Sequence, residues 1–254
     1  MRRTTTLKAI AGLAATSLLL AACGGGGDGG SETTAAGGGD GGGEASGGKA
    51  MRLALNQTEE HPSYIALDNW GTALDEATGG NWSIDVFPNE TLGAQAEALQ
   101  LVSDGSVDMA VVSSPQLENL NPDFKAFEMP GVFDNIDEQL AALNDPEINS
   151  ELFASLEASQ KITVLGVFTQ GQRSVYTSFG EVQTPADLAG KKIRVQETDK
   201  WVAIATALGG SATPMAFGEL YTGLQAGVVD AAENNEVSYW TQKHYEVAPY
   251  YSYT

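Results

Sequence analysis

The fold is decided by residues 192–231, KIRVQETDKWVAIATALGGSATPMAFGELYTGLQAGVVDA. A short apolar strand is predicted at Lys192–Val195, and the amphipathic run Lys200–Leu208 is predicted to be a helix stopped by the two glycines that follow it. A second helix is predicted at Phe217–Gln225 and a second strand at Val228–Ala231. Strands that alternate with helices in this way indicate an α/β fold with mainly parallel sheets and flanking helices.

The same alternation extends back to Met51. Further strands are predicted from short apolar or alternating runs at Met51–Leu55, Trp82–Phe87, Met109–Val112 and Ile162–Phe168. Further helices are predicted from longer amphipathic runs at Ser63–Ala77, Ala94–Ser103 and Val237–Glu246. The α/β pattern therefore covers nearly all of residues 51–254.

Composition excludes several classes of protein. The 254 residues include 33 Asp and Glu against 13 Lys and Arg, which gives a formal net charge of −20. So acidic a chain is not expected to bind nucleic acid, because neutralising phosphates requires clustered Lys and Arg. It favours a soluble monomer. A single cysteine rules out multiple disulfides and any cysteine-cluster metal site.

The N-terminus has the features of a bacterial lipoprotein signal. Three basic residues precede the apolar run Ala9–Ala22, which is too short to span a bilayer comfortably. Small residues then lead directly into Cys23, as in a lipobox. We therefore expect residues 1–22 to be a signal peptide and Cys23 to be lipidated. The alternatives are an ordinary signal peptide with an incidental cysteine, or a short buried helix.

Residues 24–48, GGGGDGGSETTAAGGGDGGGEASGG, have almost no large apolar side chains. Such a segment cannot offset the entropy lost on ordering, so residues 23–49 are predicted to be a lipidated cysteine and a flexible tether. A lipid anchor followed by a tether implies a domain that works outside the cell membrane, at the cell surface or on the periplasmic side.

The sequence does not favour an enzyme. It contains no phosphate-binding loop, no strand-linked G-x-G-x-x-G and no G-x-S-x-G. The two histidines lie far apart in sequence and in no ligand-spaced motif, so neither a metal nor another cofactor is expected. His61 is expected to be a loop or capping residue, and His244 a helix surface residue. No nucleophile is paired with a base.

Two arginines stand beside strand-like, strongly apolar segments. Arg173 lies in VFTQGQRSVY and Arg194 in KKIRV. An arginine at a strand end in a cleft can hold a carboxylate through two parallel N–H···O bonds. The structural alternative is that either arginine pairs with one of the 33 acidic residues.

Several segments closely resemble DctP-type solute-binding proteins of tripartite ATP-independent periplasmic (TRAP) transporters. They are LALNQTEEHPSY, FPNETLGAQAEALQLVSDGSVDMAVV, FEMPGVF, TPADLAGKKIRV, ALGGSATPMAFGELYTGLQAGVVDAAENN and HYEVAPYYSYT, in the family's order and spacing. The resemblance implies a two-lobed fold like that of periplasmic binding proteins, with the ligand in the cleft between lobes at residues 50–170 and 171–254. Family members continue for several dozen residues past the position of Thr254, so a C-terminal part is expected to be missing here.

The resemblance also implies ligand-binding residues. In the second lobe, Arg194 holds the position that pairs with the ligand carboxylate, and Arg173 the position of an assisting arginine. Phe217 would line the cleft and Asn234 would bind a carboxylate or hydroxyl group. The first lobe would contribute three polar residues at ligand-facing positions, namely Asn56, Gln95 and Ser113.

The implied function is capture of a small organic acid and its delivery to the integral-membrane subunits of a TRAP permease. Asn234-Asn235, Ser238-Tyr239 and NQTEEHP look most like members that bind sugar acids such as uronates. C4-dicarboxylates or keto acids are the alternative ligands. A lipoprotein that senses its ligand for a receptor, and an enzyme, are the alternative functions.

Overall fold

The computed structural model describes residues 48–254. The predicted signal peptide, Cys23 and nearly all of the predicted tether lie outside these residues. Within them, no helix is both long enough and apolar enough to cross a membrane.

The first sheet is built from three parallel strands in the order β2-β1-β3. These are β1 (Lys49–Leu55), β2 (Trp82–Phe87) and β3 (Met109–Val111). Two crossover helices connect them, α1 (Pro62–Thr78) and α2 (Gln95–Ser103). Leu53, Leu55 and Ile84 form the buried centre of the sheet. The alternation that predicted β2 from the sequence reproduces its bounds.

A helical segment follows the first sheet. It consists of α3 (Ser114–Glu118), a 3₁₀ helix (Pro122–Glu128), α4 (Ile136–Leu143), α5 (Pro146–Ala154) and α6 (Glu157–Gln160). Phe124 and Phe127 are buried and pack edge to face, with ring centroids 6.1 Å apart. This aromatic pair anchors the segment, since edge-to-face contact adds to the burial of large apolar surface.

The second sheet has five strands in the order β6-β5-β7-β4-β8. They are β4 (Ser174–Thr177), β5 (Lys192–Val195), β6 (Ser211–Pro214), β7 (Ala231–Asn234) and β8 (Tyr250–Ser252). β5 runs parallel to β6 and β7, whereas β4 is antiparallel to β7 and β8. Across both sheets most strand pairs are parallel, as the sequence predicts.

The helices of the second sheet are α7 (Asp199–Ala207), α8 (Leu220–Gln225) and α9 (Glu236–Thr241), with 3₁₀ helices at Pro185–Leu188, Phe217–Glu219 and His244–Glu246. The side chain of Thr198 caps α7 by accepting a hydrogen bond from the amide of Trp201. The predicted helix Val237–Glu246 is divided, because Lys243 adopts a left-handed conformation between α9 and the 3₁₀ turn.

The predicted strand Ile162–Phe168 is wrong in this structure. Residues 161–173 have no regular secondary structure. β3 pairs only with β1, and the partners of β4 are β7 and β8, so no described strand lies beside this run. The predicted strand Val228–Ala231 also begins too early, since β7 starts at Ala231.

The two sheets come from separate parts of the chain, one from residues 49–111 and the other from 174–252. We call residues 50–170 the first lobe and residues 171–254 the second lobe. Contacts group all the described residues into one unit, so the boundary at residue 170 stays a prediction.

Candidate functional site

Polar side chains gather where strands of both sheets end. Asn56 and Gln57 follow β1, Gln196 follows β5, and Asn234 is the last residue of β7. Ligands of open α/β folds bind at the carboxyl ends of strands. Here these ends surround a cavity of about 10 Å³, which we call the carboxamide cavity. Its lining residues are Asn56, Gln57, Gln95, Ser113, Gln170, Arg173, Arg194, Gln196, Phe217 and Asn234.

All seven residues predicted to bind the ligand line this one cavity. The structure adds three glutamines that the sequence reasoning missed. Gln196 lies two residues after Arg194, so strand alternation could have placed both side chains on the same face. Gln57 directly follows Asn56 at the end of β1. Gln170 belongs to the irregular segment after α6 and carries no sequence signal. Ligand-binding roles for these residues remain predictions.

Arg194 is a buried cation without an anionic partner. It is 2% exposed, and its one hydrogen bond to the described residues runs from Nε to the carbonyl oxygen of Met215, at 2.9 Å. The guanidinium carbon lies 5.7 Å from the centroid of the Phe217 ring. No carboxylate of the described residues forms an ion pair with it. Burial lowers the pKa of Arg194, because removal from water disfavours the charged form.

Arg173 is paired. Its Nε donates to Oε2 of Glu233 in an ion pair, Nη2 donates to the carbonyl oxygen of Glu233 at 2.9 Å, and Nη1 donates to Oδ1 of Asn234 at 3.2 Å. Burial alone would lower the pKa of Arg173, but the charge and hydrogen bond of Glu233 outweigh it, and the pKa is raised. The ion-pair alternative from the sequence therefore holds for Arg173 and not for Arg194.

Hydrogen bonding fixes what Asn234 can offer a ligand. Its Oδ1 accepts from Arg173 Nη1, from the Asn235 amide at 2.9 Å and from Asn235 Nδ2 at 3.0 Å. With the oxygen fully used, the side-chain NH2 is the group left for a ligand. Asn234 can therefore donate to a carboxylate or hydroxyl oxygen.

The first lobe holds the opposite wall. Gln95 is the first residue of α2, and its Oε1 accepts a hydrogen bond from the amide of Ser113 at 2.6 Å. The backbone oxygen of Asn56 accepts from Nε2 of Gln242 in the second lobe at 3.4 Å. The first contact ties the segment after β3 to α2, and the second holds the end of β1 next to the second lobe.

A buried histidine packs against Phe217. His244 is 1% exposed, so the expectation of a helix surface residue is wrong. Its Nδ1 lies 2.9 Å from the hydroxyl oxygen of Tyr176, and its ring meets Phe217 edge to face at 5.7 Å. Burial, followed by the charge of Arg194, lowers the pKa of His244 to about 4. The ring is therefore neutral at pH 7.

His61 caps α1, as the sequence suggests. Its Nδ1 accepts a hydrogen bond from the amide of Ser63 at 3.0 Å. The neutral ring must then carry its proton on Nε2, which lies 3.4 Å from Oγ of Ser238 in the second lobe. Both histidines thus have structural partners, and His61 faces the Ser238 hydroxyl with a protonated nitrogen, as a donor rather than as a base.

Polar contacts also join the lobes on two sides. The amide of Gly218 donates to Oε2 of Glu90 at 3.0 Å. Lys200 Nζ lies 3.0 Å from Oε2 of Glu118 and 3.2 Å from Oε2 of Glu128. These contacts hold the two walls together, which explains the small volume of the cavity.

A larger cavity of about 610 Å³ lies beside the carboxamide cavity and shares Asn56, Ser113, Gln170 and Arg173 with it. Its lining is mainly apolar and includes Phe124. In the described part of the chain no group of three or more His, Cys, Asp or Glu residues could hold a metal ion. The carboxamide cavity differs from the larger cavity in being lined almost entirely by polar side chains, with Phe217 as the one apolar residue among the ten.

The chain is similar to known proteins over nearly all of its described residues. The family model "Bacterial extracellular solute-binding protein, family 7" (DctP) matches residues 53–254. A solute-binding protein of Chromohalobacter salexigens is 37% identical over 194 residues, which cover 76% of this chain and 57% of the relative. The chain spans 57–63% of the length of this and two other similar curated relatives.

Two solved structures are also similar. A TRAP periplasmic solute-binding protein from Bradyrhizobium, in complex with α/β-D-galacturonate, has a TM-score of 0.76 and 37% identity, covering 80% of this chain and 67% of that one. Another, from Anaerococcus prevotii with bound α/β-D-glucuronate, has a TM-score of 0.76 and 36% identity, covering 81% and 67%. Both similar proteins hold a hexuronate, a sugar acid with one carboxylate.

Proposed function

The chain belongs to family 7 of the bacterial extracellular solute-binding proteins, the DctP family, and we propose that it captures a sugar acid, specifically a hexuronate, for delivery to a TRAP-type membrane permease. The ligand occupies the carboxamide cavity between the two lobes. The protein binds and releases this acid without changing it.

The observation that carries the proposal is the unpaired charge of Arg194. A guanidinium that is 2% exposed loses most of its hydration, and although the charge of Glu233 acts on it, no described carboxylate forms an ion pair with it. Burial of an uncompensated ion costs several kcal/mol after relaxation. A ligand carboxylate that accepts two parallel N–H···O bonds would remove this cost and fix the orientation of the acid.

The charge balance of the cavity favours a single carboxylate. Arg173 and Arg194 are the only charged residues among the ten that line it, and Glu233 already neutralises Arg173. One positive charge remains for the ligand. The second carboxylate of a C4-dicarboxylate would lie among uncharged groups, where an unpaired ion is strongly disfavoured.

The remaining lining suits hydroxyl groups. Six carboxamide side chains and one serine hydroxyl surround the cavity. Each carboxamide has both donors and acceptors, and so does each sugar hydroxyl. A site of this kind rejects analogues without hydroxyls, because its buried polar groups would lose their partners.

Capture requires the lobes to move. A volume of about 10 Å³ is close to the smallest that holds a water molecule, far below the size of a hexuronate. The acid therefore enters an open form, and the side chains that now fill the cavity must turn away from it before the contacts of Glu90 with Gly218 and of Lys200 with Glu118 reform. Hinge closure of two lobes on a ligand is a known mode of domain motion.

We further propose that the protein is a monomer, tethered to the outside of the cell membrane by a lipid on Cys23. The sequence features that support this are the apolar run Ala9–Ala22, the small residues before Cys23 and the glycine-rich segment after it. The test is detergent phase partition after expression in bacteria. The full chain should enter the detergent phase and a Cys23→Ala variant should not, whereas equal partition of the two would contradict lipidation.

A thermal-shift measurement on the full chain tests the ligand class. D-Galacturonate, D-glucuronate, succinate and pyruvate serve as probes. At a concentration one hundred times Kd, a specific ligand adds about 2.7 kcal/mol to the free energy of unfolding. For a protein of this size that raises Tm by roughly 5–11 °C. A rise with succinate and none with either hexuronate would contradict the proposal.

A further inference from the structure

Two of the glutamines that the sequence did not predict line the carboxamide cavity from opposite lobes. Gln57 belongs to the first lobe, two residues after the end of β1, and is 2% exposed. Gln196 belongs to the second lobe, directly after β5, and is 4% exposed. Both line the same cavity of about 10 Å³.

Each glutamine keeps one buried polar atom that has no hydrogen-bond partner within residues 48–254. For Gln57 this atom is the acceptor Oε1, and for Gln196 it is the donor Nε2. They are the only two of the ten lining residues with such an atom. An unsatisfied buried polar group costs about 1–3 kcal/mol, and folded proteins retain few of them. Each atom therefore calls for a partner, and a group in the cavity that both residues line is the candidate for both.

One hydroxyl group satisfies both atoms, because it has one O–H donor and two acceptor lone pairs. We propose that Gln57 and Gln196 together bind a single hydroxyl of the sugar acid. The hydroxyl donates to Oε1 of Gln57 and accepts from Nε2 of Gln196. This assignment rests on the proposed function, and it makes the two glutamines specificity-determining residues.

The arrangement couples recognition to closure of the lobes. The two glutamines belong to opposite lobes, so one hydroxyl bridges the cleft only when the lobes are closed. An acid that lacks this hydroxyl leaves both atoms unpaired in the closed form, which then becomes less favourable. Such an acid can still bind Arg194, but it stabilises the closed form less than an acid that has the hydroxyl.

The test uses the full chain, isothermal titration calorimetry and two probes. D-Galacturonate carries the hydroxyls, whereas cyclohexanecarboxylate, at millimolar concentration, has a carboxylate on a six-membered ring without hydroxyls. The variants are Gln57→Met, Gln196→Met and the double variant, which keep side-chain length but remove the polar atoms. Gln100→Met, on the exposed face of α2, is the matched control.

Each single variant should weaken D-galacturonate binding by about 10–100-fold, the loss expected for one buried hydrogen bond. Cyclohexanecarboxylate should bind all variants at least as well as the original chain, which also reports that they are folded. The double variant should lose less than the product of the two single losses, because both atoms act on one hydroxyl.

Three results would overturn the inference. Equal losses for the two probes would mean that the glutamines support closure or hold a water rather than read a hydroxyl. Losses that multiply in the double variant would assign separate hydroxyls to the two residues. Unchanged D-galacturonate affinity in the variants would exclude any role. If the original chain binds cyclohexanecarboxylate or succinate but no hexuronate, the proposed function itself fails, and the inference fails with it.

Discussion

The two arginines of the carboxamide cavity should respond to the same substitution in opposite ways. Arg194 is buried without an anion, whereas Arg173 is paired with Glu233. We consider Arg194→Met and Arg173→Met, which retain a long apolar side chain. The quantities compared are the free energy of unfolding without ligand and the affinity for D-galacturonate.

Loss of Arg194 should change the stability of the ligand-free protein only slightly or should increase it. The substitution breaks one hydrogen bond to Met215, worth about 1–1.5 kcal/mol. It also removes a buried ion whose desolvation costs several kcal/mol. We therefore expect the free energy of unfolding to change by between about −1 and +2 kcal/mol. Affinity should fall by 2–5 kcal/mol, roughly 30-fold to several-thousand-fold.

Loss of Arg173 should destabilise the ligand-free protein, because the carboxylate of Glu233 is then left without its cation. The side chain of Glu233 is 9% exposed and that of Arg173 is 25% exposed. Breaking a buried pair costs 3–5 kcal/mol, and partial exposure places this pair near the lower value, at about 3 kcal/mol. Tm should fall by roughly 6–12 °C.

Urea denaturation without ligand measures the stabilities, and calorimetry with D-galacturonate measures the affinities. Two results would refute the reasoning. One is a loss of more than about 2 kcal/mol of stability in Arg194→Met, which would make this arginine a structural residue. The other is an Arg173→Met variant as stable as the original chain, which would mean that its ion pair with Glu233 contributes nothing.

Three further substitutions test the surroundings of the cavity. In Gly218→Ala the new Cβ would lie 2.3 Å from Oε2 of Glu90, so the contact between the lobes should break and calorimetry should show D-galacturonate affinity about 3–10-fold lower. The control is Gly166→Ala, whose new Cβ has no atom within 4 Å and which should bind D-galacturonate normally. Equal effects of the two substitutions would contradict this prediction. Burial lowers the pKa of His244 to about 4, so the folded state binds this proton only at a lower pH than the unfolded chain does. The contribution of His244 to the free energy of unfolding is therefore full above pH 6.5 and is lost as the pH falls towards 4, by roughly 3 kcal/mol in total. Urea denaturation of His244→Phe should show a shallower dependence of this free energy on pH between 6.5 and 4. An unchanged pH dependence would exclude His244 as the cause. The Lys200 side chain is 6% exposed between two carboxylates, so Lys200→Met should lower the free energy of unfolding in urea by about 3–5 kcal/mol. Loss of the exposed ion pair of Lys49 should lower it by less than about 1 kcal/mol. Similar losses for the two lysines would contradict the buried role of Lys200.

Local patterns predict most of the elements. The alternating run Trp82–Phe87 gives the bounds of β2 because its side chains must face opposite sides of a sheet. Most of the predicted site residues converge because they lie at or next to strand ends that meet at one edge of a sheet. Arg194 in β5 and Asn234 at the end of β7 line the same cavity for this reason, although they lie on different strands.

Other features depend on contacts that local patterns do not contain. The pairing of Arg173 with Glu233 follows from the antiparallel register of β4 and β7, in which Ser174 faces Asn234. The sequence alone does not indicate which acidic residue pairs with Arg173. Ile162–Phe168 has the composition of a strand but finds no ladder partner among the described residues. The break at Lys243, which turns His244 inward, requires a left-handed backbone that is uncommon for lysine.

The most direct test of the account is a crystal structure of the protein with D-galacturonate. We expect the ligand carboxylate to lie in the carboxamide cavity, with both oxygens about 2.7–2.9 Å from the Arg194 guanidinium nitrogens. A carboxylate bound elsewhere, such as in the apolar cavity beside Phe124, with Arg194 still holding only Met215, would contradict it.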